Sequence, residues 1–473
     1  MSFTWSLPID LGIISGTLLL ATLLRTKVRL LQRFLVPNAL TAGFLALGFY
    51  NLVGPALTLS TDGLKSLAYH LLSLSYISLS LRAPEKKRSG VNRAIFGTSV
   101  AIISQFALQV LIGLLLTSVF AATIFPNLFP SFGLLLPLGF AQGPGQALAI
   151  GSSWEQYGFT GAGDLGLTFA AIGFLWSCFG GMLLVNVGIR RGWLRNGQVS
   201  SSTWRDPGVY PRGTQPTSSA KLTTSSEAID SMSFHLAAVL VIYLLTFLLL
   251  QLITYLLGFA GKMGYDLAVN LWGLSFVFAA IVALVVRKFA VITKVDHTLD
   301  NDTLTRISGA SVDLMVTAAL GAISLVLVQA YWLPILITTT VAGVVALASI
   351  PWICSRVFTD HRLERTLLIF GTSTGTIATG LALLRSVDPE LKSPAASDYM
   401  IQAPLTLAVV IPLVLSLNLP VYSVTQNRPE LFWWMVGVGL AYLILVIVAF
   451  AVLGRPSPFR RPLHIWDTTN DGD

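Results

Sequence analysis

Apolar residues in this chain come in unbroken runs rather than in alternation. Such runs occupy 7–24, 34–53, 64–81, 94–120, 165–189, 234–260, 267–286, 307–328, 332–354, 400–419 and 431–453. Most are close to the roughly 20 residues a helix needs to cross about 30 Å of hydrocarbon. A transmembrane β-barrel would instead show short segments alternating apolar and polar positions. The pattern therefore predicts an all-α polytopic membrane protein. Two stretches break it. At 136–151 the sequence reads LPLGFAQGPGQALAIG, and at 370–384 it reads FGTSTGTIATGLALL. Both are apolar overall, yet Gly, Pro, Gln, Ser and Thr interrupt them, so neither reads as a simple spanning helix.

The charges between the runs give these breaks a meaning. Arg25, Lys27, Arg29 and Arg33 follow the first run, and Arg82, Lys86, Lys87, Arg88 and Arg93 follow the third. If basic clusters lie on the cytoplasmic side, the N-terminus is outside and four spans keep the alternation. Arg190, Arg191 and Arg195 then fall outside if 136–151 crosses the membrane, and inside if it enters from the outer face and returns. Charge parity predicts a re-entrant hairpin, at about 131–156. The second half repeats the scheme in the opposite sense, with Arg287, Lys288, Lys294, Arg356, Arg362 and Arg365 inside and a hairpin at about 366–388. The expected organisation is an inverted repeat of five spans plus one hairpin per half: 1–190, a polar cytoplasmic linker at 191–231, and 232–420. An extra span and a polar cytoplasmic tail follow at 421–473.

Composition agrees with the pattern. Hydrophobic residues make up 54% and charged residues 11%, outside the range of water-soluble domains. The net charge of +8 does not read as a nucleic-acid footprint, because Lys and Arg sit at the ends of apolar runs. Cys178 and Cys354 both lie within runs, which leaves no disulfide framework and no metal-ligand spacing. The first ten residues carry no basic residue, which argues for a retained first span over a cleaved signal peptide.

Candidate chemistry concentrates in the breaks. In the first, Gly143, Pro144 and Gly145 form a sharp interruption flanked by Gln142 and Gln146, whose amides both donate and accept. A proline kink with small residues for close packing would give similar local sequence. In the second, Thr372, Ser373, Thr374, Gly375, Thr376 and Thr379 supply oxygens without net charge, suited to a hard cation such as sodium, while helix N-termini suit a carboxylate. Back-bonding to the preceding turn is the alternative for each hydroxyl. Asp313 stands as an acid within an apolar run, where ions, protons or hydration near the interface would account for it. Asp164 is read as a first-turn helix residue with some allowance for a role beside the hairpin, and Arg385 as facing the cytoplasm. Asp10, Asp266 and Asp398 fall at run edges and are expected to be solvated. No HExxH, nucleophile elbow or phosphate loop occurs, so neither an enzyme nor ATP-driven transport is expected.

The stretch GPGQALAIGSSWEQYGFTGAGDLGLTFAAIGF resembles the bacterial sodium/glutamate symporter family. Gly143 and Gly145 match its glycine-rich hairpin, followed by Trp154, the segment from Tyr157 to Thr160, and Asp164. FLVPNALTAGFL, around Pro37 and Gly43, resembles the family's second span, and Gly375 and Thr379 fall on Gly and Thr positions of its other hairpin. Pro144 occupies the family's histidine position, and the second hairpin departs from the family's glycine-rich run. The resemblance implies a homodimeric, sodium-coupled glutamate importer of the bacterial inner membrane, without a further cofactor. In it Gln142, Gly143, Gly145, Gln146, Thr372, Ser373, Thr374, Gly375 and Thr376 would meet substrate, and Asp313, Thr379 and Asp164 would serve sodium. Sodium- or proton-coupled transport of another amino acid or organic anion, and a non-transporting sensor or scaffold, are the alternatives.

Overall fold

The computed structural model describes residues 5–83, 93–191, 193, 229–259, 261, 264, 268, 271–358, 360–388 and 393–453. Most of the linker, the basic residues at 86–88, Arg195 and the C-terminal tail lie outside them, as does Asp266. The described residues form an all-α membrane protein in which nine helices are long and apolar enough to cross a bilayer. In chain order the elements are α1 (Ser6–Lys27), α2 (Asn38–Gly48, continued by a π turn and a 3-10 turn to Leu57), α3 (Asp62–Ser80) and α4 (Arg93–Thr123). The first broken stretch forms α5 (Phe132–Gln142) and α6 (Pro144–Glu155), followed by α7 (Ala162–Arg190). The second half contains α8 (Ser231–Gly258), α9 (Ser275–Ile292), α10 (Asn301–Gly321), α11 (Leu325–Ala330) and α12 (Trp332–Val357). The second broken stretch gives α13 (Arg362–Thr374) and α14 (Ile377–Arg385), and α15 (Ala395–Ser416), α16 (Leu419–Thr425) and α17 (Glu430–Leu453) complete the chain.

Two expected runs shift for identifiable reasons. The run at 267–286 becomes a helix from Ser275 to Ile292, because Arg287 and Lys288 continue the helix into another apolar turn instead of ending it. The run at 307–328 ends as α10 at Gly321, and the chain breaks before α11. Asn51 accommodates that break: its amide donates to Ile323 O at 3.0 Å and accepts from Leu325 N–H at 3.2 Å, meeting backbone groups that a continuous helix would satisfy itself.

The helices pack as two groups. In one, α1 lies on α2, α2 on α10, α10 on α3, α3 on α9 and α9 on α8. The other joins α4, α12, α15 and α17 with both broken segments and α7. The seam between the groups runs where α6 and α7 meet α3 and α10. These last two are the most polar of the expected spans and fall short of the apolarity of the other nine. They pack on each other, and Ser73, Ser75 and Ser78 of α3 and Thr303, Ser311 and Thr317 of α10 are buried. Among their ties is His235 at the start of α8, fully buried, whose Nε2 accepts the Asp300 N–H at 2.8 Å while Nδ1 lies 2.6 Å from Ser231 O. That histidine fastens the start of α8 to the start of α10, where the Asp300 carboxylate caps the helix through Thr303 N–H.

Candidate functional site

The first break is a turn between two buried helical arms. Its descending arm ends in a π turn, Leu138–Gln142, and the chain reverses at Gly143, with φ 89° and ψ 177°. That backbone region is open to glycine and strained for any other residue. Pro144 then opens α6 at the position where a missing N–H is harmless. No side chain caps the α6 N-terminus, although Pro144, Gly145 and Gln146 are all buried. Gly145 sits against Met315 and Leu72, where a Cβ would come within 2.7 Å of the Met315 sulfur. The Gln146 amide donates to the Tyr76 hydroxyl of α3 at 2.6 Å, and Gln142 is half-buried.

The second break has different local chemistry. Gly375 lies at φ −151° and ψ −111°, a negative φ outside the helical region, and Thr376 caps α14 in a reciprocal box with Thr379. The Thr376 N–H donates to Thr379 Oγ1 at 3.0 Å, and that hydroxyl also lies 2.8 Å from both Gly371 O and Thr376 O. Thr372 and Thr374 bond back to Leu368 O and Phe370 O, the local alternative open to such residues. Ser373 differs: its buried hydroxyl has no hydrogen-bond partner among the described residues.

The tips of the two breaks meet. A Cβ on Gly143 would lie 3.1 Å from Thr376 Cγ2 and 3.8 Å from Gly375 O, although more than 200 residues separate them in sequence. Helix α7 braces both. A Cβ on Gly173 would come within 2.6 Å of Thr374 O and 2.9 Å of Phe140, and Ser177 Oγ donates to Gly371 O at 3.2 Å from within the π turn Trp176–Gly180. Gly143 is thus brought beside Gly375 and Thr376, with Thr372 and Ser373 in the last turn of α13 and Thr379 in the first turn of α14, whereas Gly145 and Gln146 meet α3 and α10.

The three residues expected to serve sodium are placed apart. Asp164 occupies the first turn of α7, buried, with Lys65 Nζ of α3 at 2.9 and 3.0 Å from its two oxygens. It lies thirteen residues before Ser177, which at 1.5 Å per residue puts it about 20 Å along the helix from Gly371 and Thr379. Asp313, the acid within an apolar run, is exposed, on an α10 face that also carries Asp302, Arg306, Gly309 and Ala310. Polar and small residues at this spacing form one face of α10 that no neighbouring helix among the described residues covers. Thr379 is engaged in its capping box. No group of three or more His, Cys, Asp or Glu able to hold a metal occurs among the described residues.

Two acids expected at solvated edges are buried instead. Asp10 accepts from the Tyr50 hydroxyl at 2.5 Å, and Asp398 pairs with buried Arg365 at 2.8 Å. A run boundary locates a residue along the membrane normal, and neighbouring helices decide whether water reaches it. Arg385 is exposed at the end of α14. The residue that sequence reasoning passed over is Gln109 of α4, whose amide nitrogen donates to Ser373 O at 2.9 Å. Its signal was the pair Gln105 and Gln109, four apart on one face of an otherwise apolar span. Comparison with known proteins finds no matching family model, no matching curated protein and no matching solved structure.

Proposed function

We propose that this protein is a secondary transporter that couples uptake of glutamate to sodium entry by alternating access. What carries the reading is the meeting of two broken helical segments from distant parts of the chain inside a bundle of apolar helices. Broken segments bring helix ends and free backbone groups to the midplane, where a substrate carboxylate and a cation can be bound without buried protein charge. The uncapped, buried N-terminus of α6 suits the carboxylate, with Gln142 and Gln146 beside it.

The repeat is inverted, and its support is that packing relations recur with the halves exchanged. The α1–α2 pair corresponds to α8–α9, and α2–α10 to α9–α3, while α3–α10 and α4–α12 each map onto themselves. The chain sits in the bacterial inner membrane as a homodimer, N-terminus outside and tail in the cytoplasm. The group bearing both hairpins moves against the other along the α3/α10 seam. Uptake of labelled glutamate into proteoliposomes, with and without an inward sodium gradient, tests this. Sodium-stimulated uptake is expected; its absence for every acidic amino acid would overturn the proposal.

A further inference from the structure

Two oxygen atoms behind the second hairpin tip are left without partners. Gln109 and Ser373 are each 2% exposed, and neither Gln109 Oε1 nor Ser373 Oγ has a hydrogen-bond partner among the described residues. Such orphans are uncommon in folded proteins, because a buried acceptor without a donor loses the water it had in the unfolded chain. The neighbouring amides show that the fold can do otherwise. One turn earlier on α4, Gln105 exchanges hydrogen bonds with Ser349 of α12, at 3.1 Å from its nitrogen and 3.2 Å to its oxygen.

The orphans belong to one place. Gln109 Nε2 is fixed on Ser373 O at 2.9 Å, which orients the amide, and Oε1 is bonded to the same carbon as that nitrogen. Its free oxygen therefore lies beside the turn that carries the free Ser373 hydroxyl. That turn is the last of α13, whose C-terminal carbonyls carry the negative end of the helix dipole. All these groups present oxygen, and none is a carboxylate.

We propose that Gln109 Oε1 and Ser373 Oγ, with the C-terminal carbonyls of α13, form a site for a dehydrated monovalent cation. Neutral oxygens at a helix C-terminus stabilise a single positive charge, whereas calcium-like ions recruit carboxylates. This assigns Ser373 to the ion rather than to the substrate and adds Gln109, a residue of α4 rather than of either hairpin. Gln109 thereby ties occupancy of the second hairpin to the position of α4. That the ion is the one driving uptake rests on the transport reading above; its binding does not. A trapped water would satisfy the same two atoms and is the rival explanation.

The test follows thermal unfolding of the purified full-length protein in detergent while sodium chloride replaces choline chloride at constant ionic strength, with no amino acid present. Wild-type protein is expected to gain stability along a saturable sodium curve. In choline, Ser373→Ala should melt at or above the wild-type temperature, since it deletes a hydroxyl without a partner. Its sodium midpoint should rise about tenfold or more. Gln109→Leu should abolish the response; if that variant does not fold, Ser373→Ala decides alone. No sodium-specific gain in the wild type, or an unchanged midpoint in Ser373→Ala, overturns the site. Sodium-driven uptake with an unchanged midpoint in Ser373→Ala would keep the transporter and reject the site. Sodium binding weakened by Ser373→Ala without uptake of acidic amino acids would keep the site and reject the substrate.

Discussion

The first hairpin turns on a single glycine at positive φ and leaves the following helix uncapped, whereas the second turns at a glycine of negative φ and closes its helix with a threonine pair. Both tips are largely buried, and they touch, so solvent does not account for the difference. At the first tip, backbone N–H groups at a helix start are left for something negative. At the second, hydroxyls are turned inward on backbone carbonyls, and the unpartnered atoms lie behind the tip at Gln109 and Ser373. Two breaks that look alike as interrupted apolar segments thus offer opposite partial charges. The neighbours differ too. The first hairpin meets the other helix group through α6 on α3 and α10, while the second is enclosed by its own group, against α4, α7, α12 and α15.

Substitution at the turning glycines is expected to separate the two tips most strongly. Gly143→Ala forces a side chain into the glycine-only region and against Thr376, at a cost of about 1–3 kcal/mol. Gly375→Ala meets the Thr379 hydroxyl at 2.6 Å, which can rotate away at the expense of the capping box, and lies 3.2 Å from Gly371 O and 3.3 Å from the Phe174 ring, where a shift of a few tenths of an ångström suffices. Thermal melts should rank Gly143→Ala below Gly375→Ala, and equal losses would mean that positive φ at Gly143 does not constrain the first turn. A smaller effect is expected within the second hairpin. Thr379→Val removes the capping box and should destabilise by about 1 kcal/mol, whereas Thr372→Val, which loses only a back-bond, should change stability by about 0.5 kcal/mol or less. Equal effects would remove the special standing of Thr379.

The smallest expected effect lies at the seam beside the first hairpin. Lys65 and Asp164 join the two groups, with the lysine side chain 29% exposed, so solvent screening limits their coupling to about 1 kcal/mol. A double-mutant cycle with Lys65→Met and Asp164→Asn should return a coupling of that size in thermal stability. If the groups move against each other, the same cycle on uptake rate should carry the opposite sign, because a contact that holds one conformation slows departure from it. A cycle with no coupling in either readout would show that the pair does not hold the seam.

Much of this architecture was legible in the chain. Run length fixed the helical class, and the breaks at Gly143 and Gly375 were visible because Gly, Pro and Thr interrupt apolar sequence at just two long stretches. The runs at 94–120 and 332–354 match helices Arg93–Thr123 and Trp332–Val357 closely, although Pro351 lies inside the second, because apolar run length outweighs one lost backbone hydrogen bond. Polar residues inside helices were harder to read. Asp313 stood out by type, yet its helix face is open; Asp10 and Asp398 looked ordinary, yet they are buried against Tyr50 and Arg365.

The sequence by itself determined which segments are helical and where the chain must break, because apolar run length, glycine, proline and hydroxyl side chains act over one or two turns. Only the tertiary structure decided that Gly143 meets Thr376, that Lys65 holds Asp164, and that Gln109 reaches Ser373. Those meetings join residues separated by 99 to 264 positions. Their physical basis is helix packing at glycine contacts such as Gly173 against Thr374 and Phe140, which a one-dimensional pattern of apolar and polar positions does not specify.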